Sequence, residues 1–177
     1  AHTHSPMTLF RGLADDMPLM TWLNEHIWPA EARWVSEEFV HDGSQLAIAE
    51  MIRSGTTTFS DMYFFPDACA QTAQRLGMRC QITFPILDFP TVWARSADEY
   101  ISKGMALRDE VKHSPLVTVG FGPHATYTVS EPNLVKVATL AAELDVAVQI
   151  HLHETRDEII QSLRDHAERP LARLERL

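Results

Sequence analysis

Four short apolar runs limit what this chain can become. Residues 56–61, 80–87, 117–122 and 146–151 are rich in Val, Ile, Thr and Phe and lack the strict alternation of a sheet wetted on one face. Such runs are strands covered on both sides. Between them stand stretches with apolar residues at helical spacing. In residues 133–144, Leu134, Val137, Ala141 and Leu144 form one stripe with Ser130 placed as N-cap. In residues 36–53 the stripe runs through Phe39, Leu46, Ala49 and Ile52, and Gly55 follows as a stop. Residues 98–112 and 155–174 complete the helices, the last opened by Thr155 and Glu158 at the spacing of a capping box.

Repeated strand-then-helix units build either an open doubly wound sheet or a barrel of eight units. The polar residues favour the barrel. Asp61, His124, His151 and Glu154 all fall at or just past the carboxyl end of a strand, the face on which parallel barrels carry their chemistry. A whole barrel needs about 250 residues. The 177 residues supply four strands plus the one that His2 and His4 would end. The expected fold is α/β, about the first five strand-helix units of a TIM-like (β/α)8 barrel, read as one partial domain over residues 1–177.

Composition removes several classes of function. Fifteen Lys and Arg against 24 Asp and Glu give a formal charge of −9, with no basic stripe interleaved with aromatics, so nucleic acid is not an expected partner. No run reaches the roughly 18 apolar residues of a membrane span, and the first residues lack a secretory pattern. Cys69 and Cys80 are too few and too far apart for a disulfide framework or a Cys-rich zinc site, which points to the cytoplasm.

Nine histidines remain, and two clusters matter. The chain opens Ala1-His2-Thr3-His4, and on an extended backbone His2 and His4 point to the same side. Residues Gln149-Ile150-His151-Leu152-His153-Glu154 end an apolar strand in two more imidazoles and a carboxylate. Catalytic zinc takes three protein ligands and keeps a position for water, whose pKa then falls to about 7, and a nearby glutamate can move the proton. Spacing alone does not separate His151 from His153 as the third ligand.

These motifs, with Gly55-Thr-Thr-Thr-Phe-Ser-Asp61-Met62 and Gly122-Pro-His124-Ala125, resemble the amidohydrolase superfamily, and within it the 5-methylthioadenosine/S-adenosylhomocysteine deaminases. The resemblance runs the length of the chain. It implies a metal-dependent hydrolase with His2, His4 and His151 as metal ligands, the family's His-x-x-Glu pattern selecting His151. Glu154 then carries protons to the purine, Glu31 accepts hydrogen bonds from ribose hydroxyls, and His124 contacts the substrate. Without the family, Glu31 reads as a solvated charge at a helix end and His124 as a turn residue beside Pro123. Arg95 lies where some members of the family place a substrate-binding arginine, and it reads equally well as a surface charge.

The implied reaction is hydrolytic deamination of an adenosine-type nucleoside, giving an inosine-type product and ammonia. The implied cofactor is one divalent metal ion, zinc first, with iron or manganese also compatible with nitrogen and oxygen ligands. The expected partner is a small purine nucleoside, and a homo-oligomer is compatible. The family pattern also calls for an N-terminal sandwich segment, a histidine after a later strand and an aspartate at the end of strand eight. None lies in the 177 residues, so the sequence reads as a segment of a longer protein whose isolated activity is in question. Two alternatives stand beside this reading: another branch, such as guanine deaminase or a triazine or chlorinated-ring hydrolase, or a catalytically silent barrel acting as a binding module.

Overall fold

A computed structural model describes residues 1–177. Strands β1 (His2–Thr3), β2 (Thr58–Asp61), β3 (Arg79–Ile86) and β4 (Val117–Pro123) lie side by side in chain order, every pair parallel. A doubly wound sheet reverses its strand order at a switch point. These strands do not reverse, as successive units of a barrel require. The register sets His2 opposite Ser60 and Ser60 opposite Gln81.

The run 146–151 keeps its expected place but forms only isolated bridges. It passes parallel to β4 through Phe121 with Val148 and Ala125 with His151. Phe121 N donates to Ala147 O at 3.0 Å, and His151 N to His124 O at 2.9 Å. Gly120 permits this approach, since a Cβ there would stand 2.5 Å from Ala147 O.

The helices are α1 (Leu19–Trp22), α2 (Trp28–Trp34), α3 (Glu37–Arg53), α4 (Pro66–Leu76), α5 (Ala97–Val111), α6 (Glu131–Leu144), α7 (Arg156–His166) and α8 (Pro170–Arg176). A π-helical turn, Leu23–Ile27, joins α1 to α2. No helix is long and apolar enough to cross a membrane. Ser36 caps α3 by accepting from Phe39 N, and Ser96 caps α5 by accepting from Glu99 N. Ser130 holds the N-cap position of α6, but its hydroxyl makes no cap bond. Its N–H goes to the Asp88 carboxylate at 2.8 Å instead. The expected long helix over 155–174 breaks into α7 and α8 at Ala167, whose φ is +57°, and Pro170 starts the second piece because proline cannot continue a helix. Helix α4 escapes the stripe criterion because its buried face is made of Ala68, Cys69, Ala70, Thr72 and Ala73. Pro66 at its first turn and Gly77 just past its end do mark it.

Helix α3 corrects the stripe read for it. Leu46 and Ile52 are exposed, and Val40, Gly43, Ser44, Ala47 and Ile48 face inward. The reason is steric. The 3-10 turn Ser5–Phe10, which follows His4, lies against this small-residue face so closely that a Cβ on Gly43 would stand 2.5 Å from Pro6 O. On the side of the sheet turned toward the helices, Phe59, Ile82, Phe84, Ile86 and Phe121 are fully buried.

Gly43→Ala therefore tests whether the helix holds the turn. Overpacking costs about 1–3 kcal/mol, against a helix-propensity gain of about 1 kcal/mol. The expected net loss, up to about 2 kcal/mol, lowers Tm in thermal unfolding. A Tm equal to or above the parent's would show that the turn yields without strain.

Candidate active site

The first constraint on the site is a buried carboxylate. Asp61, at the end of β2, is 2% exposed and accepts from Thr3 Oγ1 at 2.7 Å and Ser5 N at 2.6 Å. Burial pushes its pKa up, while the Ser5 N–H, the Thr3 hydroxyl and His4 pull it down. These two bonds straddle His4 and fix the backbone on both sides of it.

His2, His4 and His151 come together at the carboxyl ends of the strands. Their ring centroids are 4.8 to 5.2 Å apart, and one ligand atom from each lies within 4.8 Å of the others. Each ring presents Nδ1 to a backbone carbonyl: His2 to Ser60 O at 3.2 Å, His4 to Met62 O at 2.5 Å, His151 to His124 O at 3.0 Å. A carbonyl only accepts, so Nδ1 carries the proton and Nε2 the lone pair. The Nε2 atoms of His2 and His151 face each other at 3.3 Å. Two nitrogens bound at about 2.0–2.1 Å to one tetrahedral zinc stand roughly 3.3–3.4 Å apart. Burial, followed by the neighbouring imidazoles, lowers the pKa of His2 and His151, favouring the neutral form that binds metal. The donor set fits a divalent cation.

His153, equally eligible by spacing, has φ of +56° and turns away, its Nε2 accepting weakly from Leu171 N at 3.4 Å. Glu154 follows on the site side. Tyr127 donates its hydroxyl to Glu154 Oε2 at 3.1 Å. Glu158 bends the capping box toward this purpose: Thr155 Oγ1 accepts from Glu158 N as expected, but the buried Glu158 carboxylate accepts from Glu154 N at 2.7 Å rather than from the N-cap.

One cavity of about 510 Å³ joins His4, His124, His151 and Glu154 to Glu31. Its far walls are apolar, with Trp22, Trp28, Leu87 and Phe89 among them. Glu31 on α2 is 9% exposed, not the solvated charge its local sequence suggests. Burial pushes its pKa up to about 7, against the opposing pull of Tyr63, whose hydroxyl donates at 2.7 Å. His124 also lines the cavity. Its Nδ1 is 2.9 Å from Thr128 Oγ1, and burial, then His151 and His4, press its pKa down to about 3. It is a neutral imidazole. Arg95 is exposed and does not line the cavity.

Sequence reasoning passed over Tyr63, Tyr127 and Gln149. Gln149 had a legible signal, standing two residues before His151 and so on the same side of an extended run. The tyrosines had only their places shortly after strand-end polar residues.

The amidohydrolase family model matches residues 1–177. Proteins named 5-methylthioadenosine/S-adenosylhomocysteine deaminase from Saccharophagus degradans and Teredinibacter turnerae are 57% and 58% identical over 173 residues, which is 98% of this chain and 39% of each relative. The chain thus spans about two fifths of their length. A crystal structure of an adenosine deaminase from Xanthomonas campestris with bound zinc superposes with a TM-score of 0.96 at 50% identity, over 99% of this chain and 40% of that one. An atrazine chlorohydrolase from Arthrobacter aurescens superposes at 0.87 with 19% identity over 99% of this chain and 44% of that one, a likeness of fold alone.

The burial of Glu31 has a measurable cost. Its folded pKa, about 7, lies above the unfolded value of about 4.3. Between these values the folded state binds more protons, so this group's contribution falls as pH rises through the window. Glu31→Gln is expected to raise Tm above pH 7, with the gain fading toward pH 4. A gain independent of pH would contradict the assignment.

Proposed function

The chain belongs to the amidohydrolase family, and from that membership we propose that the protein hydrolytically deaminates adenosine-type nucleosides, 5-methylthioadenosine and S-adenosylhomocysteine, to inosine-type products and ammonia. The observation that carries the proposal is the shared cavity: His4 and His151, clustered with His2, and Glu154 at one end, a buried carboxylate with a single side-chain donor and aromatic walls at the other. The names of the similar deaminases and the zinc in the Xanthomonas structure support it.

In this reading His2, His4 and His151 hold one divalent metal, zinc being the first choice and iron or manganese compatible. The family pattern calls for an aspartate at the end of strand eight, which would complete the set. The bound metal supplies a water acidic enough to ionise near neutral pH. Glu154 takes the proton from the attacking water and delivers it to N1 of the ring. The water oxygen bonds to C6, the second proton of the water passes to the amino nitrogen, and the C6–N bond breaks to release ammonia and leave a C6 carbonyl, so one water is consumed for each ammonia released. Tyr127 aims the Glu154 carboxylate through its hydroxyl. His124, with Nδ1 directed at Thr128, offers its other ring nitrogen to the bound nucleoside. Glu31 takes the ribose hydroxyls, anchoring the half of the substrate that does not react and orienting the half that does.

Three substitutions in the full-length protein test these roles. Glu154→Gln should lower kcat by about a hundredfold to ten-thousandfold, the usual worth of a positioned proton carrier, while zinc content by atomic emission stays at the parent's level. His4→Ala should lose stoichiometric zinc; retention of it would favour the silent barrel. Glu31→Gln should raise KM for 5-methylthioadenosine by about tenfold to a hundredfold, since hydrogen bonds to a charged group are worth about 1.5–3 kcal/mol. An unchanged KM would remove the ribose assignment.

A further inference from the structure

The interior just beneath the three imidazoles is polar where the barrel is expected to be apolar. His2, Ser60 and Gln81 stand side by side on β1, β2 and β3. Gln149, on the run beside β4, closes the row: its amide nitrogen is 2.7 Å from His2 Nδ1 and its amide oxygen 2.5 Å from Ser60 Oγ. Ser60 Oγ in turn is 3.3 Å from Gln81 Oε1.

The chemistry of this row selects one arrangement of its protons. His2 Nδ1 faces Ser60 O, which only accepts, so Nδ1 bears hydrogen whenever Nε2 gives its lone pair to a cation. An amide NH2 pointed at that hydrogen would set donor against donor. The two ends of an amide have the same shape, so which end faces His2 follows from its partners. With the oxygen toward His2, Nδ1–H is shared between Ser60 O and Gln149 Oε1, the Gln149 NH2 meets Ser60 Oγ, and Ser60 donates to Gln81. No donor in the row then faces another donor.

We propose that Gln149 is a positioning residue for the metal centre, its side-chain amide holding His2 in the tautomer and orientation that directs Nε2 at the ion. The inference rests on the metal-site reading above. His2 needs such support more than its companions. It is the most exposed of the three imidazoles, and its carbonyl partner, at 3.2 Å, is the most distant of the three. His4 and His151 each have a closer carbonyl, and neither is paired with a side-chain amide. Hydrogen-bond partners of this kind typically change metal affinity by about 10–100-fold when removed.

Two substitutions in the full-length protein separate this role from packing. Gln149→Met keeps the length and volume of the side chain but removes both polar ends. Gln149→Glu keeps an oxygen that accepts from His2 Nδ1–H, and Ser60 can donate to its other oxygen. Zinc affinity is measured by competition with a chromophoric chelator, with Tm of the metal-free proteins read in parallel. Gln149→Met should bind zinc about 10–100-fold more weakly with a metal-free Tm close to the parent's, and Gln149→Glu should bind within about threefold of the parent or more tightly. Parent-like zinc binding by Gln149→Met, or loss in Gln149→Glu as large as in Gln149→Met, overturns the proposal while leaving the metal site intact. A parent that binds no more zinc than His4→Ala overturns the metal-site reading itself, and the role of Gln149 falls with it.

Discussion

The Asp61 carboxylate carries the geometry on which the rest of the site depends. Strand β1 is two residues long, and its pairing with β2 supplies only a few backbone bonds, among them Ser60 N to Ala1 O at 2.7 Å and Met62 N to Thr3 O at 3.1 Å. Such a ladder cannot by itself fix the direction of two imidazoles. Asp61 adds two short bonds to a charge-bearing group, each of a kind worth about 1.5–3 kcal/mol, one to Thr3 and one to Ser5. Burying a carboxylate without a cation is costly, and those donors offset it. From the other side the small face of α3 presses on Pro6. Held at Thr3, Ser5 and Pro6, the segment gives His4 one place to go.

The carboxyl ends of the strands do more than collect polar side chains. Where a strand passes into a loop, its last carbonyls lose their neighbours in the ladder and need donors. Met62 O, just past β2, finds one in the Nδ1–H of His4, while Ser60 O within the ladder and His124 O, which already accepts from His151 N, take the Nδ1–H groups of His2 and His151 as well. One set of bonds thus satisfies the backbone and fixes three tautomers, leaving the Nε2 lone pairs turned inward. The expectation that chemistry gathers at this face has its physical content here. The face offers carbonyl acceptors in register, and imidazoles placed among them are set for a cation.

The strand runs and the alternation with helices were readable because burial on both faces leaves a compositional mark. The barrel reading followed from where Asp61, His124, His151 and Glu154 fell. What the sequence did not disclose depends on contacts distant in the chain. The buried face of α3 was misassigned because its inward residues are small, selected by the closeness of Pro6 and not by hydrophobicity, and α4 was missed for the same kind of reason. Residues 155–174 read as one helix because a stripe can cross a break that only Pro170 announces. The run 146–151 reads as a full strand by composition, but it meets β4 and the residues just past it only through isolated bridges. His153 matched His151 by alternation until a left-handed φ turned it aside. Glu31 lay furthest out of reach. Nothing within Trp28-Pro29-Ala30-Glu31 signals burial, which arises because α2 packs over the mouth of the cavity and brings Glu31 to Tyr63, 32 residues on.

In the proposed reading, Glu31 specifies a binding site by what the protein leaves incomplete. A carboxylate has room for about four hydrogen bonds, and here the protein offers one side-chain donor, the Tyr63 hydroxyl. The elevated pKa expresses that shortage as proton affinity. In the proposed complex the two ribose hydroxyls supply the missing donors, so substrate binding relieves a strain that folding imposed. A ligand without adjacent hydroxyls would fill the same aromatic cavity and leave the carboxylate as poorly satisfied as before, while excluding its water. Sites built around a buried polar group reject analogues lacking its partner far more strongly than apolar pockets reject a change of size. Under the proposed function, the apolar walls would then give affinity for a flat heterocycle of almost any kind, and Glu31 would be what selects a nucleoside.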